Sequence, residues 1–439
     1  MSESPGEIFA TDIPDADWND NFRRGLRFSI DDALMWMCVA LCPFQDTILQ
    51  YTPLNMAGAS LSFFPLVVLF ALAGARRLLH KPFVVSRSML LLVVYMCAVC
   101  AANLVWMENG EATIYWKSLR GYPLLAALTV FAIFGVNYQV SRWFRRAIYL
   151  AFCFTVAGIL CGFTLGENAI LILQSSPNLS GRPSGFSTES STLSVQIVAI
   201  GMLTAHFLDK KWKKLSIGAL TCALLVVSGS KGGLISLLLC AIVLGIAKIR
   251  ASLLSKIIVS FVLLPLIYFS SFYVYSIFST LVELNQMESI ATRLSMAVYA
   301  FITVAHHPLG VGFTGFLPSI PRYLPQAMDF IQGVLPISLF FEEAKGFLYP
   351  PQTFADCKSF FLDYLVFFGI PFAILFFRFA GKLILELFKC HYYWLFLGVL
   401  FSTFALMTYY SSINVWTLPV LFGVSLHEIR RVQNPVRVQ

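Results

Sequence analysis

The residues able to do chemistry are concentrated in one stretch of the chain, residues 279–358, and in a shorter one around Arg182. Cationic side chains there can hold anionic groups, and histidines can act as a base. A connection of this length between hydrophobic helices is uncommon unless it is functional. We interpret 279–358 as half of an active site whose other half lies near Arg182. Its polar residues include Glu283, Glu288, Arg293, His306, His307, Arg322, Asp329, Glu342, Glu343, Lys345, Asp356 and Lys358.

The elements that must position these residues are membrane helices. The chain has 439 residues, of which 58% are hydrophobic and 12% charged, and its mean hydropathy is +0.75. A soluble domain carries about 25% charged residues, so the composition indicates an integral membrane protein. The apolar runs are continuous and do not alternate, which favours helices over a barrel. The net charge of +8 fits topology signals in cytoplasmic loops, and we expect no nucleic-acid partner.

We predict an all-α polytopic protein with about 12 transmembrane helices and a large outer loop between spans nine and ten. With the amino terminus inside, 23 of the 31 Lys and Arg residues fall on the cytoplasmic side. An even number of spans returns the carboxyl terminus to the cytoplasm. The predicted segments are a cytoplasmic tail (1–32), spans one to nine (33–278) with an outer loop (166–189), a large periplasmic loop (279–358), spans ten to twelve (359–427) and a second tail (428–439).

The basic residues left on the outer side are the informative ones. They are Lys117, Arg120, Arg182, Lys231, Arg293, Arg322, Lys345 and Lys358. A charge at the centre of a membrane helix costs about 2.5–3.5 kcal/mol on insertion scales, so such residues tend to have a reason. For Lys117, Arg120 and Lys345, snorkelling to the outer interface is as good an explanation as a functional role. Arg182 and Arg293 adjoin polar sequence at the ends of spans, which favours a function for both.

Three motifs occur in order along this layout. Residues 181–191 read GRPSGFSTESS at the outer end of span six, and 228–233 read SGSKGG between two short spans. The third motif is TRL at 292–294, followed after a helix-length gap by HPLGVG at 307–312. Together they resemble the superfamily of bacterial O-antigen ligases and Wzy-type O-antigen polymerases. Members of that superfamily have a similar span count, similar termini and a large outer loop between spans nine and ten.

The resemblance implies a chemistry that needs no metal and no cofactor. The donor would be a glycan on undecaprenyl diphosphate at the outer leaflet, and an acceptor hydroxyl would attack the anomeric carbon. Fixed cations would then stabilise the leaving diphosphate, and the planar guanidinium of arginine suits that task. By resemblance Arg182 and Arg293 are these cations and Lys231 is a third. The outer segments hold no Asp-x-Asp motif or His/Cys cluster with metal spacing, which is consistent.

The sequence departs from the ligases where span ten begins. There the ligases commonly carry a His-Asn pair, whereas residues 358–369 read KSFFLDYLVFFG, with Lys358 at the histidine position. An ammonium can hold a phosphate but is a poor proton acceptor at neutral pH. The stretch containing Glu189 resembles a Glu-Pro-Ser segment that follows the arginine in many polymerases, without its proline. Arg322 and Gly333 match the Arg-x10-Gly spacing of polymerase outer loops.

Two further features have a functional and a structural interpretation. His306 and His307 could supply a catalytic base, but a His-Pro-Leu-Gly turn is as often structural. Residues 322–345 mix apolar and aromatic side chains with few charges, which predicts an interfacial or re-entrant helix over the site, or an ordinary packed loop.

The favoured hypothesis is a polysaccharide polymerase of the bacterial inner membrane with a periplasmic active site. Its partners would be the undecaprenyl-diphosphate-linked oligosaccharide, membrane lipid and, as an optional protein partner, a chain-length regulator. The first alternative is a ligase that transfers the glycan to lipid A core. A transporter or flippase is the second, and it is disfavoured because the sequence shows no internal repeat and its unusual charges cluster at the outer ends of spans.

Overall fold

A computed structural model describes most of the carboxyl-terminal two thirds of the chain and parts of the remainder. The described residues are 30–45, 47, 61–62, 65, 68, 87–103, 142–164, 185–187, 189–248, 285–334, 341–348, 356–410 and 417–433. Their regular structure is entirely helical, which confirms the predicted all-α class for this part of the chain. Predicted spans two (about 57–75), four (about 114–136) and nine (about 257–277) lie wholly or largely outside the described residues.

The helices are named here in chain order. They are α1 (Ile30–Ala40), α2 (Arg87–Ala102), α3 (Arg142–Thr164), α4 (Ser190–Phe207), α5 (Lys211–Val227), α6 (Lys231–Lys248), α7 (Asn285–His306), α8 (Gly312–Val334), α9 (Glu342–Gly346), α10 (Phe360–Lys389), α11 (Tyr393–Thr408) and α12 (Thr417–Gln433).

Helix α4 is the centre of the larger core. Its sequence is apolar on every side, which is typical of a helix surrounded by others, and nearly all of its residues are buried. It packs against α3, α5, α11 and α12. Gly201 lets α5 approach closely, because a Cβ there would overlap the Thr221 side chain. This contact fixes α5 against the most buried helix of the fold.

A second core lies between α7, α8 and the first half of α10. Tyr299 of α7 is fully buried in it, and its hydroxyl lies 2.6 Å from Ser319 Oγ of α8. The short helix α9 packs against α7 and contributes Ala344 to the same core. Helix α10 joins the two cores, because Val366 belongs to the second and Leu387 to the first.

Within the described part of the chain, three helices are long and apolar enough to cross a membrane: 142–162 within α3, α4, and α10. The predicted count of 12 spans is not tested by the described residues. The sequence predicts span ten over about 359–377, and helix α10 continues twelve residues beyond that range. Its 30 residues extend about 45 Å, more than the roughly 30 Å of a bilayer core. The continuation is amphipathic, since Lys382 is exposed while Leu383 is buried.

Helix α8 occupies part of the predicted outer loop although it contains three prolines. Pro318, Pro321 and Pro325 are spaced by three and four residues, so they share one face of the helix. None of the three is buried, whereas Tyr323, Leu324 and Ala327 on the other side are. The hydrogen bonds that proline removes are therefore lost on the outer side of α8, and its buried side remains intact. The sequence predicts a helix over 322–345. The structure instead has a helix ten residues nearer the amino terminus, α8 at 312–334, and then the short helix α9.

Candidate active site

Three helices that begin next to sequence-predicted site residues meet at one end of the bundle. The site residues are Glu189, Lys231 and Lys358. Ser194 Oγ, in the first turns of α4, is 3.1 Å from Tyr409 Oη just after α11. The backbone N–H of Phe360, the first residue of α10, donates to Tyr410 O at 2.6 Å. A Cβ on Gly232 of α6 would lie 2.9 Å from the Tyr409 ring. The starts of α4, α6 and α10 therefore meet around the end of α11.

Glu189, Lys231 and Lys358 are the charged residues at these three helix starts. Glu189 is exposed at the N-cap of α4, where its carboxylate accepts a hydrogen bond from Ser191 Oγ at 2.9 Å. Lys231 is exposed in the first turn of α6, and Ser230 Oγ accepts the Gly233 N–H at 3.3 Å to begin that helix. The structure thus places the helix starts next to these three residues around the end of α11. We refer to Glu189, Lys231 and Lys358 as the charged end group.

Lys358 is held in a defined position. Its backbone lies in the left-handed region, with φ 56°, which is unusual for a residue with a side chain. Its ammonium lies 3.5 Å from a Glu343 oxygen of α9 and 3.6 Å from an Asp356 oxygen. An anion that binds Lys358 must therefore compete with two carboxylates.

Sequence reasoning missed the residues that fix this segment. Asp363, which is buried, accepts the Cys357 N–H at 2.7 Å. Ser359 Oγ donates to the Met407 carbonyl at 2.9 Å, tying the segment to α11. Burial and the Asp363 carboxylate raise the pKa of the Cys357 thiol, so this cysteine stays protonated and is no nucleophile. The signal available in the sequence was an acidic residue inside a hydrophobic span.

His307 and Arg322 are brought together by Tyr323. His307 Nε2 lies 2.9 Å from Tyr323 Oη, and the Arg322 guanidinium lies 5.4 Å from the centre of the same ring. Tyr323 is buried, and the His306 ring also packs against it. Burial, the Arg322 charge and His306 together lower the pKa of His307 below its ordinary value. The imidazole is consequently neutral and able to accept a proton at neutral pH.

The HPLGVG motif is a turn that docks on a kink in α10. Gly369 interrupts α10 with φ 65°, and the Ile370 N–H donates to Pro308 O at 2.8 Å. The Val311 N–H donates to Val366 O at 2.9 Å. The structural interpretation of this turn is therefore correct for its backbone, while the His307 side chain remains half-buried and accessible.

The remaining predicted cations are placed differently. Arg293 is exposed on α7, fourteen residues before His307, or roughly 20 Å along a helix axis. It is only six residues from Tyr299, which belongs with Cys357 to the second core. Arg293 therefore lies closer to the Lys358 end of the molecule than to His307. Arg182 lies outside the described residues; Phe186, four positions on, stacks against Phe44 at 4.4 Å.

His307 and the charged end group are distinct sites along α10. The HPLGVG turn contacts Val366 and Ile370, six and ten residues beyond the first residue of α10, which corresponds to roughly 10–15 Å along the axis. A single small substrate does not contact both, but a lipid-linked oligosaccharide is long enough to do so. Among the described residues, no three His, Cys, Asp or Glu side chains are grouped as metal ligands.

The hydrophobic helices of the described residues indicate a membrane protein, and the candidate site residues named above lie on them or at their ends. Residues 216–377 match the family model of the O-antigen ligases. An uncharacterized 49.5 kDa protein in the cps region of Klebsiella pneumoniae is 28% identical over 234 residues, which are 52% of this chain and 53% of that protein. The chain therefore matches about half the length of this curated relative.

Both findings support a resemblance of this chain to the superfamily of O-antigen ligases and Wzy-type polymerases. The resemblance predicted from the motifs is therefore confirmed. The matched region contains Lys231, Arg293, His307, Arg322 and Lys358, whereas Arg182 and Glu189 precede it. The description of the family model, O-antigen ligase, gives the class of enzyme that this part of the chain resembles.

Proposed function

We propose that the protein is a metal-independent polysaccharide polymerase that uses an undecaprenyl-diphosphate-linked glycan as donor. The observation that carries the proposal is that the helix starts next to Glu189, Lys231 and Lys358 meet around the end of α11. This end would face the outer leaflet, where the donor diphosphate lies, in the topology that the basic residues predict.

The reaction breaks one bond and forms one. An acceptor sugar oxygen attacks the anomeric carbon of the donor, and the bond from that carbon to the diphosphate oxygen breaks. The bonding electrons leave with the lipid diphosphate, so negative charge grows where Arg182, Arg293, Lys231 and Lys358 are proposed to bind. Preorganised cations stabilise such charge without reorganisation. The acceptor proton passes to a carboxylate or imidazole, for which Glu189 and His307 are the candidates.

Arg322 is proposed to bind the acceptor sugar, and His307 is proposed to remove the proton from its hydroxyl. Their separation from the charged end group along α10 suits a substrate several sugars long. A neutral imidazole next to a guanidinium offers a proton acceptor beside a donor of hydrogen bonds to sugar hydroxyls.

Two observations favour a polymerase over a ligase. Lys358 stands where the ligases commonly carry histidine, and its ammonium is occupied by Glu343 and Asp356. It therefore cannot accept the acceptor proton. The relative named above is described as a protein in a cps region, which points to a capsule-like polymer as the product.

The pH dependence of turnover tests the role of His307. Its pKa lies below the ordinary value of 6.5, so activity should fall only as the pH drops below about 6.5 and the imidazole becomes protonated. Arg322→Ala removes one cause of the lowering and should move this acidic limb to higher pH. Arg322→Lys retains the charge and should leave the limb in place. An identical limb in wild type and the Ala variant would remove His307 from the proposed chemistry.

A deletion strain distinguishes polymerase from ligase. If the protein polymerises, the strain should lose its long polysaccharide but keep a single repeat unit on its acceptor, as a gel of the extracted glycolipid reveals. A lipid A core with no repeat unit at all, in a strain whose precursor still reaches the outer leaflet, would show that the protein is a ligase.

A further inference from the structure

Two basic segments that are far apart in the sequence lie side by side at the opposite end of the bundle. The Tyr149 hydroxyl of α3 donates to the Phe207 carbonyl at the end of α4, at 3.0 Å. The Arg145 guanidinium lies 5.4 Å from the centre of the Phe207 ring. The beginning of α3 therefore adjoins residues 208–214, which lead from α4 into α5.

The surface formed by 142–146 and 209–214 is strongly cationic. It carries seven basic residues and one carboxylate, that of Asp209. The basic residues are Arg142, Arg145, Arg146, Lys210, Lys211, Lys213 and Lys214. We call this surface the α3/α5 basic surface. Its charge is complementary to phosphate and not to a neutral or cationic partner.

Each half of the surface presents an exposed tryptophan beside a cation. Trp143 is 40% exposed and has the Arg146 guanidinium 4.7 Å from its ring centre. Trp212 is 62% exposed and has the Lys213 ammonium at 5.7 Å. Exposed indole rings are enriched at the membrane–water interface. The two tryptophans thus place the seven cations at the depth of lipid headgroups.

Arg145 provides an unsatisfied donor at this depth. Its Nε atom is buried and has no hydrogen-bond partner among the described residues. Buried N–H groups in folded proteins almost always find an acceptor. A phosphate oxygen is an acceptor of the right charge.

We infer that the α3/α5 basic surface binds the phosphate of anionic phospholipid headgroups. The surface is separated from Glu189 by the full length of α4, 18 residues or about 27 Å. That length is close to the thickness of a bilayer core, so this lipid lies in the leaflet opposite to the proposed active site. The inference does not depend on the proposed enzymatic function.

Binding of labelled phosphatidylglycerol to the full-length protein in phosphatidylcholine nanodiscs tests the inference. The triple variant Arg145→Gln, Lys210→Gln, Lys211→Gln should weaken binding by more than tenfold, because each cation near a charged lipid surface contributes about a fivefold effect. The triple variant Arg378→Gln, Lys382→Gln, Lys389→Gln removes as many cations from α10 and should weaken binding by less than about threefold.

Equal losses in the two triple variants would overturn the inference, since generic attraction to cationic loops would then suffice. Displacement of the lipid by inorganic phosphate at millimolar concentration would also overturn it, because the ligand would be the free anion. If the first triple variant does not fold, the variant Lys210→Gln, Lys211→Gln replaces it, since both side chains are exposed. Unchanged binding in that folded variant would contradict the inference equally.

Discussion

Replacing Arg293 with Ala should slow polymer formation by ten- to a hundredfold or more. A charge-assisted hydrogen bond contributes about 1.5–3 kcal/mol, and each 1.36 kcal/mol corresponds to a factor of ten in rate. The effect is larger where the contact forms only in the transition state, as it would for charge growing on a leaving diphosphate. We expect the same of Arg182. The assay is turnover of a synthetic polyprenyl-diphosphate repeat unit by the purified protein.

Arg293→Lys should restore activity only in part, because lysine keeps the charge but loses the planar fork. The matched control is Lys345→Ala, another cation of the same segment. Lys345 is exposed and lies 3.0 Å from Glu342 in an ordinary surface ion pair, which contributes little. Normal turnover by both arginine-to-alanine variants, at unchanged expression, would remove these residues from the site.

Gly369→Ala should severely destabilise the protein and abolish its activity. Gly369 has φ 65°, and a Cβ there would overlap the carbonyl oxygen of Pro308. With ψ at −159° as well, this backbone conformation is essentially restricted to glycine and costs alanine about 1–3 kcal/mol, and the steric overlap adds to this. Because the HPLGVG turn docks on this kink, the change also displaces His307. Thermal unfolding of the purified protein measures the loss of stability.

Gly381→Ala is the control, since it lies in the same helix and a Cβ there meets nothing within 4 Å. Alanine is the better helix former by about 0.8–1.0 kcal/mol, so this variant should be as stable as wild type or slightly more so. A Gly369→Ala variant with wild-type stability would contradict the kinked junction between α10 and the turn.

Hydropathy predicted the helices of the larger core because each is apolar along its length. The predicted spans over 147–165 and 392–409 correspond to α3 and α11 within a few residues. Helix α10 runs past 377, the predicted end of span ten, because a cluster of cations marks where a helix leaves the bilayer and not where it ends. Arg378 and Lys382 are exposed on a helix whose other face remains packed.

The sequence was sufficient to choose the charged residues of the candidate site. It was not sufficient to predict which of these residues contact one another. Glu189, Lys231 and Lys358 each begin a helix, and shared topology was enough to predict that they lie on one side. The contact between His307 and Tyr323 depends on the path of α8. The three prolines of this helix are more typical of a loop, so the sequence did not predict a helix beginning at 312. Asp363 stood out only as an acidic residue inside a hydrophobic span, because its contact with the Cys357 N–H depends on a turn geometry that the sequence does not show.

The most direct test of the proposed function offers the purified, reconstituted protein a labelled undecaprenyl-diphosphate repeat unit with two acceptors. One acceptor is a second lipid-linked repeat unit, and the other is lipid A core. The account predicts a ladder of lipid-linked oligomers, with release of one undecaprenyl diphosphate per added repeat. A single transfer of label to lipid A core without any ladder, or a donor that crosses the bilayer unreacted, would contradict it.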